Sequence, residues 1–233
     1  MSMKSDRSLK STSWKKLAAK TAVNQDFLGS CPEPDERTGN AMPRPSLKTQ
    51  RSEEILDAYM TCVARYGLDG ATQERVAAEA GVKRPLLRHY FGNRDRMIGA
   101  LNKHVADAFN DLTLELDCHL AQIETGDQLL EILFAEDEEI DPRLAAAWQG
   151  LSASVGDHPE LAEPLLEVLA RFVAVLEKFL ARVSPDATPE RVRAVAQGIS
   201  TIFLSLDSLA ALDAPTNWRM ELKRAASLLT ETM

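Results

Sequence analysis

The sequence predicts an all-α protein of about nine helices, in which a small three-helix unit precedes a larger helical body. Three observations predict it. From Arg51 onward, apolar residues recur at helical spacing and no stretch alternates as a half-buried strand would. Pro142, Pro159 and Pro189 fall near helix starts, while Gly67 and Gly81 sit where short helices must end. Charge is also partitioned. Residues 1–50 hold nine Lys/Arg against five Asp/Glu, residues 51–103 nine against seven, and residues 104–233 nine against twenty-three, within a net charge of -8. At roughly 150 residues per domain, 233 residues make one large domain or two small ones. A chain of this size buries about 70–75% of its unfolded surface, so its core needs no disulfide staples.

The elements follow in order. Residues 1–50 are rich in Ser, Thr, Lys and Pro and offer little to bury, so they read as a flexible basic extension. Within it, residues 14–23 put Trp14, Leu17, Ala18 and Ala22 on one helical face. A membrane-touching or transit-like helix, a nucleic-acid-contacting arm, and a dispensable leader ahead of a start at Met42 all fit that stretch. A first helix is expected over about 52–66, with Ile55, Tyr59, Cys62, Val63 and Tyr66 inward, stopping at Gly67. A second runs over about 73–80 behind the N-cap Thr72. Gly81 makes a tight turn, and a third helix follows over about 84–91, with Pro85 tolerated in its first turn. Asn93 caps a long helix over about 94–120. Weaker patterns cover about 126–136 and 141–154, and strong ones cover about 158–183, 188–212 and 217–231.

Two short helices joined by a glycine turn, the second of them basic, form a helix-turn-helix pattern. Lys83, Arg84, Arg88, Arg94 and Arg96 face only Asp95 over fourteen positions, and a local basic patch on an acidic protein points at something anionic. On the third helix Leu87 and Phe91 share a face with Tyr90 beside it, expected to pack on Ile55, Val63, Val76 and Ala77. The other side carries Pro85, Leu86, Arg88 and His89. Leu86 suits a thymine methyl, Arg88 suits bidentate bonding to guanine O6 and N7, and His89 suits a base or a phosphate. A small bundle with a merely wet charged face is the alternative. The agreement of charge, turn and helical face favours DNA.

Gly67, Thr72, Val76-Ala77, Ala80-Gly81-Val82, Pro85, Leu87, His89 and Phe91-Gly92-Asn93-Arg94 together resemble the DNA-binding domain of tetracycline-repressor-type (TetR) regulators over about residues 52–98. The resemblance implies an all-helical homodimer on an inverted-repeat operator, released by a small molecule. It implies phosphate contacts at Thr72, Tyr90 and Arg94, and base contacts at Arg84, Pro85, Leu86 and His89. Gln73, Lys83, Leu86 and Arg88 depart from the common family pattern, which leaves the architecture alone but changes the operator expected, towards a guanine beside a thymine. The domain division is then a flexible extension over 1–50, a DNA-binding domain over 51–98, and a ligand-binding and dimerisation domain over 99–233.

In the body, Leu161, Leu165, Leu169, Phe172, Leu176, Phe179 and Val183 make a core stripe. The helix over 188–212 has a bulky face of Val192, Val195, Ile199, Phe203 and Leu206, and a small one of Ala194, Gly198, Thr201, Ser205 and Ser208. The small face, with Trp218, Leu222, Ala225 and Leu229 of the last helix, is expected to pair with its copy in a two-fold four-helix bundle. The alternative is that both faces are satisfied within one chain. A ligand cavity is expected among Phe109, Phe134, Trp148, Phe172 and Phe203, with Gln149 or His119 as polar handles. Asp207 suits a cationic ligand, a partner across the dimer, or solvent.

Other chemistries find no support. His104, Cys118 and His119 lack metal-ligand spacing, the four histidines form no array with Ser, Cys or Asp, and there is no phosphate-cradling glycine loop. Neither an enzyme activity nor a cofactor or metal is expected. The acidic run 136–139 reads as a frayed helix end. The longest uncharged runs, 144–156 and 194–206, fall short of the roughly 18–20 residues that span a bilayer. With three separated cysteines, Cys31, Cys62 and Cys118, a soluble protein with reduced thiols in the cytoplasm, at the nucleoid, is expected. A DNA-binding regulator, most simply a repressor, therefore leads. An all-helical enzyme or sequestering protein for an apolar small molecule is the competing class.

Overall fold

The computed structural model describes residues 47–135, 141–212, 214–215 and 217–233. Nine α-helices are found among them: α1 (Leu47–Gly70), α2 (Gln73–Glu79), α3 (Arg84–Phe91), α4 (Arg94–Leu120), α5 (Gly126–Leu133), α6 (Pro142–Ala153), α7 (Ala162–Val183), α8 (Pro189–Ala211) and α9 (Asn217–Thr230). The stretch 14–23, Cys31, Met42 and the acidic run 136–139 lie outside the described residues, as does the side chain of Asp207. No helix among the described residues is long and apolar enough to cross a membrane.

The first four helices begin and end where local chemistry requires. Gly67 takes φ 69, a left-handed value that costs glycine little, and breaks the helical path of α1 there. Thr72 caps α2 by accepting from the Arg75 N–H at 3.4 Å. Gly81 at φ 62 turns the chain into α3, whose first turn holds Pro85. Asn93 then caps α4 by accepting from the Arg96 N–H at 2.9 Å. α4 has 27 residues and is therefore about 40 Å long, enough to run from the helix-turn-helix into the body.

Two cores form along that helix. The lower one joins Ile55, Val63, Val76, Ala77, Leu87 and Phe91 to Met97, Ile98, Leu101 and Val105 of α4, and it takes in Leu144, Ala147 and Leu151 of α6 with Leu161 and Leu165. The upper one joins Leu116 and Leu120 to α5 and to the inner faces of α7, α8 and α9. α6 is thus packed on the helix-turn-helix unit itself. It lies so close to α1 that a Cβ on Gly150 would stand 3.1 Å from Val63 Cγ1.

Several expectations need correction. Tyr66 is not inward: half its surface is exposed, and the Arg75 guanidinium sits 4.4 Å from its ring centroid, while Leu68, just past the break at Gly67, takes the buried place instead. α1 starts at Leu47, before the expected boundary. Pro159–Leu161 forms a separate 3-10 turn ahead of α7, so the helix expected from 158 starts at Ala162.

Candidate nucleic-acid interface

α3 turns Leu87, fully buried, and Phe91 into the lower core, and this fixes which residues must face out. Lys83, Arg84, Pro85, Arg88 and His89 are exposed, while Leu86 and Tyr90 are half-buried. Leu86 therefore has more shelter than a leucine with no core to enter, and it presents only part of its side chain. Tyr90 packs against the core and meets the His89 ring edge-on, centroids 5.6 Å apart. Thr72 and Arg94 close the surface from the starts of α2 and α4.

Two of the arginines carry acids that the basic count along 83–96 misses. Arg84 Nη1 lies 2.6 Å from Glu74 Oε1, and Arg94 Nη2 lies 3.1 Å from Asp69 Oδ1. Arg94 Nη2 also donates to the Leu68 carbonyl at 3.1 Å, so this side chain ties α4 to the end of α1. The Glu74 carboxyl is held below its ordinary value, first by its own backbone N–H and then by Arg84 and the Thr72 hydroxyl, against an opposing desolvation effect. Sequence spacing gives no warning of either pair, because ten and twenty-five residues separate their members and only the turn geometry brings them together.

A second group lies where the unit meets the body. Arg143 of α6 donates to Asp57 at 3.2 Å and to the Thr61 hydroxyl at 3.1 Å, both on α1, and is gripped from its own N-cap by Asp141 at 2.6 Å. Sequence reading passed over Arg143; a lone basic residue after Asp141-Pro142 carries no signal of a partner 86 positions away.

The residues expected to line one cavity divide between the two cores. Phe109 and Trp148 meet edge-on at 5.0 Å beside the lower core. Phe203 meets Phe134 at 6.4 Å and Phe172 at 5.5 Å in the upper one. Gln149 is exposed, and the His119 Nδ1 is engaged with the Glu115 carbonyl at 2.7 Å. Asn102 and Asn110 of α4, which the sequence reading did not single out, each keep a buried amide oxygen without a hydrogen-bond partner. Of the small face on α8, Gly198 is covered by Leu229, whose Cδ1 would stand 2.7 Å from a Cβ there. Leu222 and Leu229 pack on the upper core of their own chain, and Ser205 is half-buried, whereas Thr201, Ser208, Trp218 and Ala225 remain exposed. No group of three or more His, Cys, Asp or Glu side chains suited to a metal occurs among the described residues.

Residues 55–101 match the family of bacterial regulatory proteins called the tetR family. The chain is 25% identical over 193 residues to the HTH-type transcriptional regulator BetI of Cronobacter sakazakii, spanning 82% of this chain and 92% of that protein. A tetR-family regulator of Mesorhizobium loti superposes with a TM-score of 0.63 at 17% identity, covering 80% of this chain and 96% of its own. The regulator FadR of Bacillus subtilis, solved with stearoyl-CoA, superposes with a TM-score of 0.54 at 16% identity, covering 77% and 98%. Fold, surface and relatives define a DNA-binding transcriptional regulator of the helix-turn-helix class, among relatives that are regulators and not enzymes. Residues 55–101 carry the tetR-family match, and the chain is similar to regulators of that family over most of its length.

Proposed function

We propose that the protein is a homodimeric, ligand-responsive repressor that grips an inverted-repeat operator and lets go when a small molecule enters the body. Residues 51–98 act as the reading unit and 99–233 as the sensing and dimer-forming unit, in the cytoplasm at the nucleoid. Thr72, Lys83, Tyr90 and Arg94 hold phosphates, and Arg84, Pro85, Leu86, Arg88 and His89 face base edges. The observation that carries this reading is the outward row Arg84–Arg88–His89, held rigid by Leu87 and Phe91 beneath it. Exposed Thr201, Ser208, Trp218 and Ala225 supply the dimer face. Two recognition helices about 34–36 Å apart enter successive major grooves, so a small change in their separation weakens both half-sites together.

Selection of bound duplexes from a random pool tests the reading and should return an inverted repeat. On that duplex Arg88→Ala should relax preference at one base pair, by about 1–3 kcal/mol of discrimination. Arg94→Ala should weaken every sequence alike and flatten the salt dependence by about one phosphate contact. Wild-type behaviour from both variants would place the DNA on another face.

The effector reading is supported by the polarity of the interior around α4. Asn102 spends its Nδ2 on the Leu161 carbonyl and Thr113 spends its hydroxyl proton on the Phe109 carbonyl, which leaves acceptors: the Asn102 and Asn110 oxygens. Buried acceptors without partners favour a ligand that donates and penalise one that only accepts. Decylamine or decanol should therefore release the operator complex in an anisotropy titration at concentrations where decanoate does not. Release by decanoate alone would reverse this assignment.

A further inference from the structure

We propose that Glu74 is a specificity determinant of the DNA-facing surface, an acid that holds Arg84 away from the phosphates of random duplex, whereas Asp69 restrains Arg94 on every duplex alike. This rests on the assignment of the α2–α3 surface to DNA. Both acids come from outside the basic stretch, Asp69 from the end of α1 and Glu74 from the first turn of α2, and both reach arginines at helix starts, 3.1 and 2.6 Å away. All four side chains are solvent-accessible, so neither pair supports a core, and exposed ion pairs of this kind add little to folding. Their weight falls on what else the arginines can bind.

Random duplex offers these arginines phosphates and nothing further, and binding to it is almost wholly electrostatic. A closed Arg84–Glu74 pair carries no net charge to attract a phosphate, so Arg84 must leave Glu74 to take one, and the abandoned carboxylate then stands beside the polyanion. On the operator the demand differs. Glu74 engages Arg84 through Nη1, which leaves the rest of the guanidinium to meet a base edge while the pair stays closed. Arg94 meets a phosphate on either duplex, so Asp69 opposes both alike. Arg88 and His89, which no acid engages in an ion pair among the described residues, add contacts that random duplex does not reward. Glu74 therefore taxes non-specific binding more heavily than specific binding.

The test compares wild type, Glu74→Gln, Asp69→Asn and the double variant on the selected operator and on a scrambled duplex of equal length, by anisotropy across a salt series. Each single variant should tighten scrambled-duplex binding several-fold and steepen its salt dependence by about one counterion, with about tenfold or more for the double variant. In Glu74→Gln operator affinity should change less than about twofold, so the operator-to-scrambled ratio falls, whereas Asp69→Asn should gain on both duplexes alike. Equal gains on both duplexes from Glu74→Gln, or an unchanged salt slope, would overturn the proposal. Losses on both with a lowered melting temperature would show that the acids serve only the fold, and would overturn it too. Wild-type protein that binds neither duplex would remove the DNA assignment itself, and this inference with it.

Discussion

Leu87→Ala is expected to destabilise the lower core by about 3 kcal/mol, within the 2–5 kcal/mol typical of removing a buried leucine, and to abolish operator binding. Leu87 is fully buried in the middle of an eight-residue helix, in the core that also holds Ile55, Val63, Val76, Met97 and Ile98. Eight residues are too few for a helix to hold its shape alone in water, so α3 owes its form to this packing. Losing Cγ and its two methyl groups there leaves a cavity that a close-packed core fills only in part. The upper core shares none of these side chains and should keep its structure. Thermal unfolding followed by circular dichroism reads the first effect, and anisotropy on the selected operator the second. Leu86→Ala, one position away but half-buried, is the control: its cost to stability should stay near or below about 1 kcal/mol. Equal losses from the two would mean that α3 is seated on a different face.

That contrast marks what the sequence makes legible. Periodicity with glycine, proline and capping residues locates helices, because the forces that start and stop a helix act within four residues. The α3 boundaries, the Thr72 and Asn93 caps and the inward pair Leu87–Phe91 are all of this kind. Tyr66 obeys the helical period of α1 yet lies half-exposed under Arg75 of α2, a neighbour that the period of one helix cannot show. The arginine surface is legible as a basic patch and illegible as a set of ion pairs, since Glu74 and Asp69 arrive through turns. The aromatic set fails in the same way. Phe109 and Phe172 both read as apolar helix positions, and nothing local says that they enter different cores. Gly198 was legible as a site of close helix approach but not in its partner, which is Leu229 of the same chain.

Arg143→Met is expected to loosen the joint between the body and the reading unit, with a loss of about 1–3 kcal/mol in stability and a change in how strongly effector binding alters operator affinity. The magnitude is kept below that of a fully buried pair because Arg143 and Asp57 retain 33% and 42% of their side-chain exposure. Arg143 bridges α6 and α1 by donating to Asp57 Oδ2, and its removal leaves without that donor a carboxylate whose Oδ1 is already buried and unpaired. The acid response should change with it. Burial alone would raise the Asp141 pKa, but the hydrogen bonds and charge of Arg143 outweigh this and hold it below its ordinary 3.8. A depressed carboxylate pKa contributes stability above the unfolded value that is lost as the pH falls through the folded one, so wild type should weaken below about pH 4 from this site. His104, half-buried on α4, adds a separate and earlier loss: desolvation, opposed by Asp57, Glu53 and Asp107, lowers its pKa, so protonation costs stability as the pH drops below 6.5. In Arg143→Met the carboxylate step should shrink while the loss that sets in below pH 6.5 persists. On the proposed coupling of body to reading unit through this joint, the variant should also bind operator in the absence of effector with an affinity close to wild type, yet release it less completely when effector is added. Full release with an unaltered effector response would show that α6 transmits nothing through this contact, and would leave the long helix α4 as the sole mechanical link.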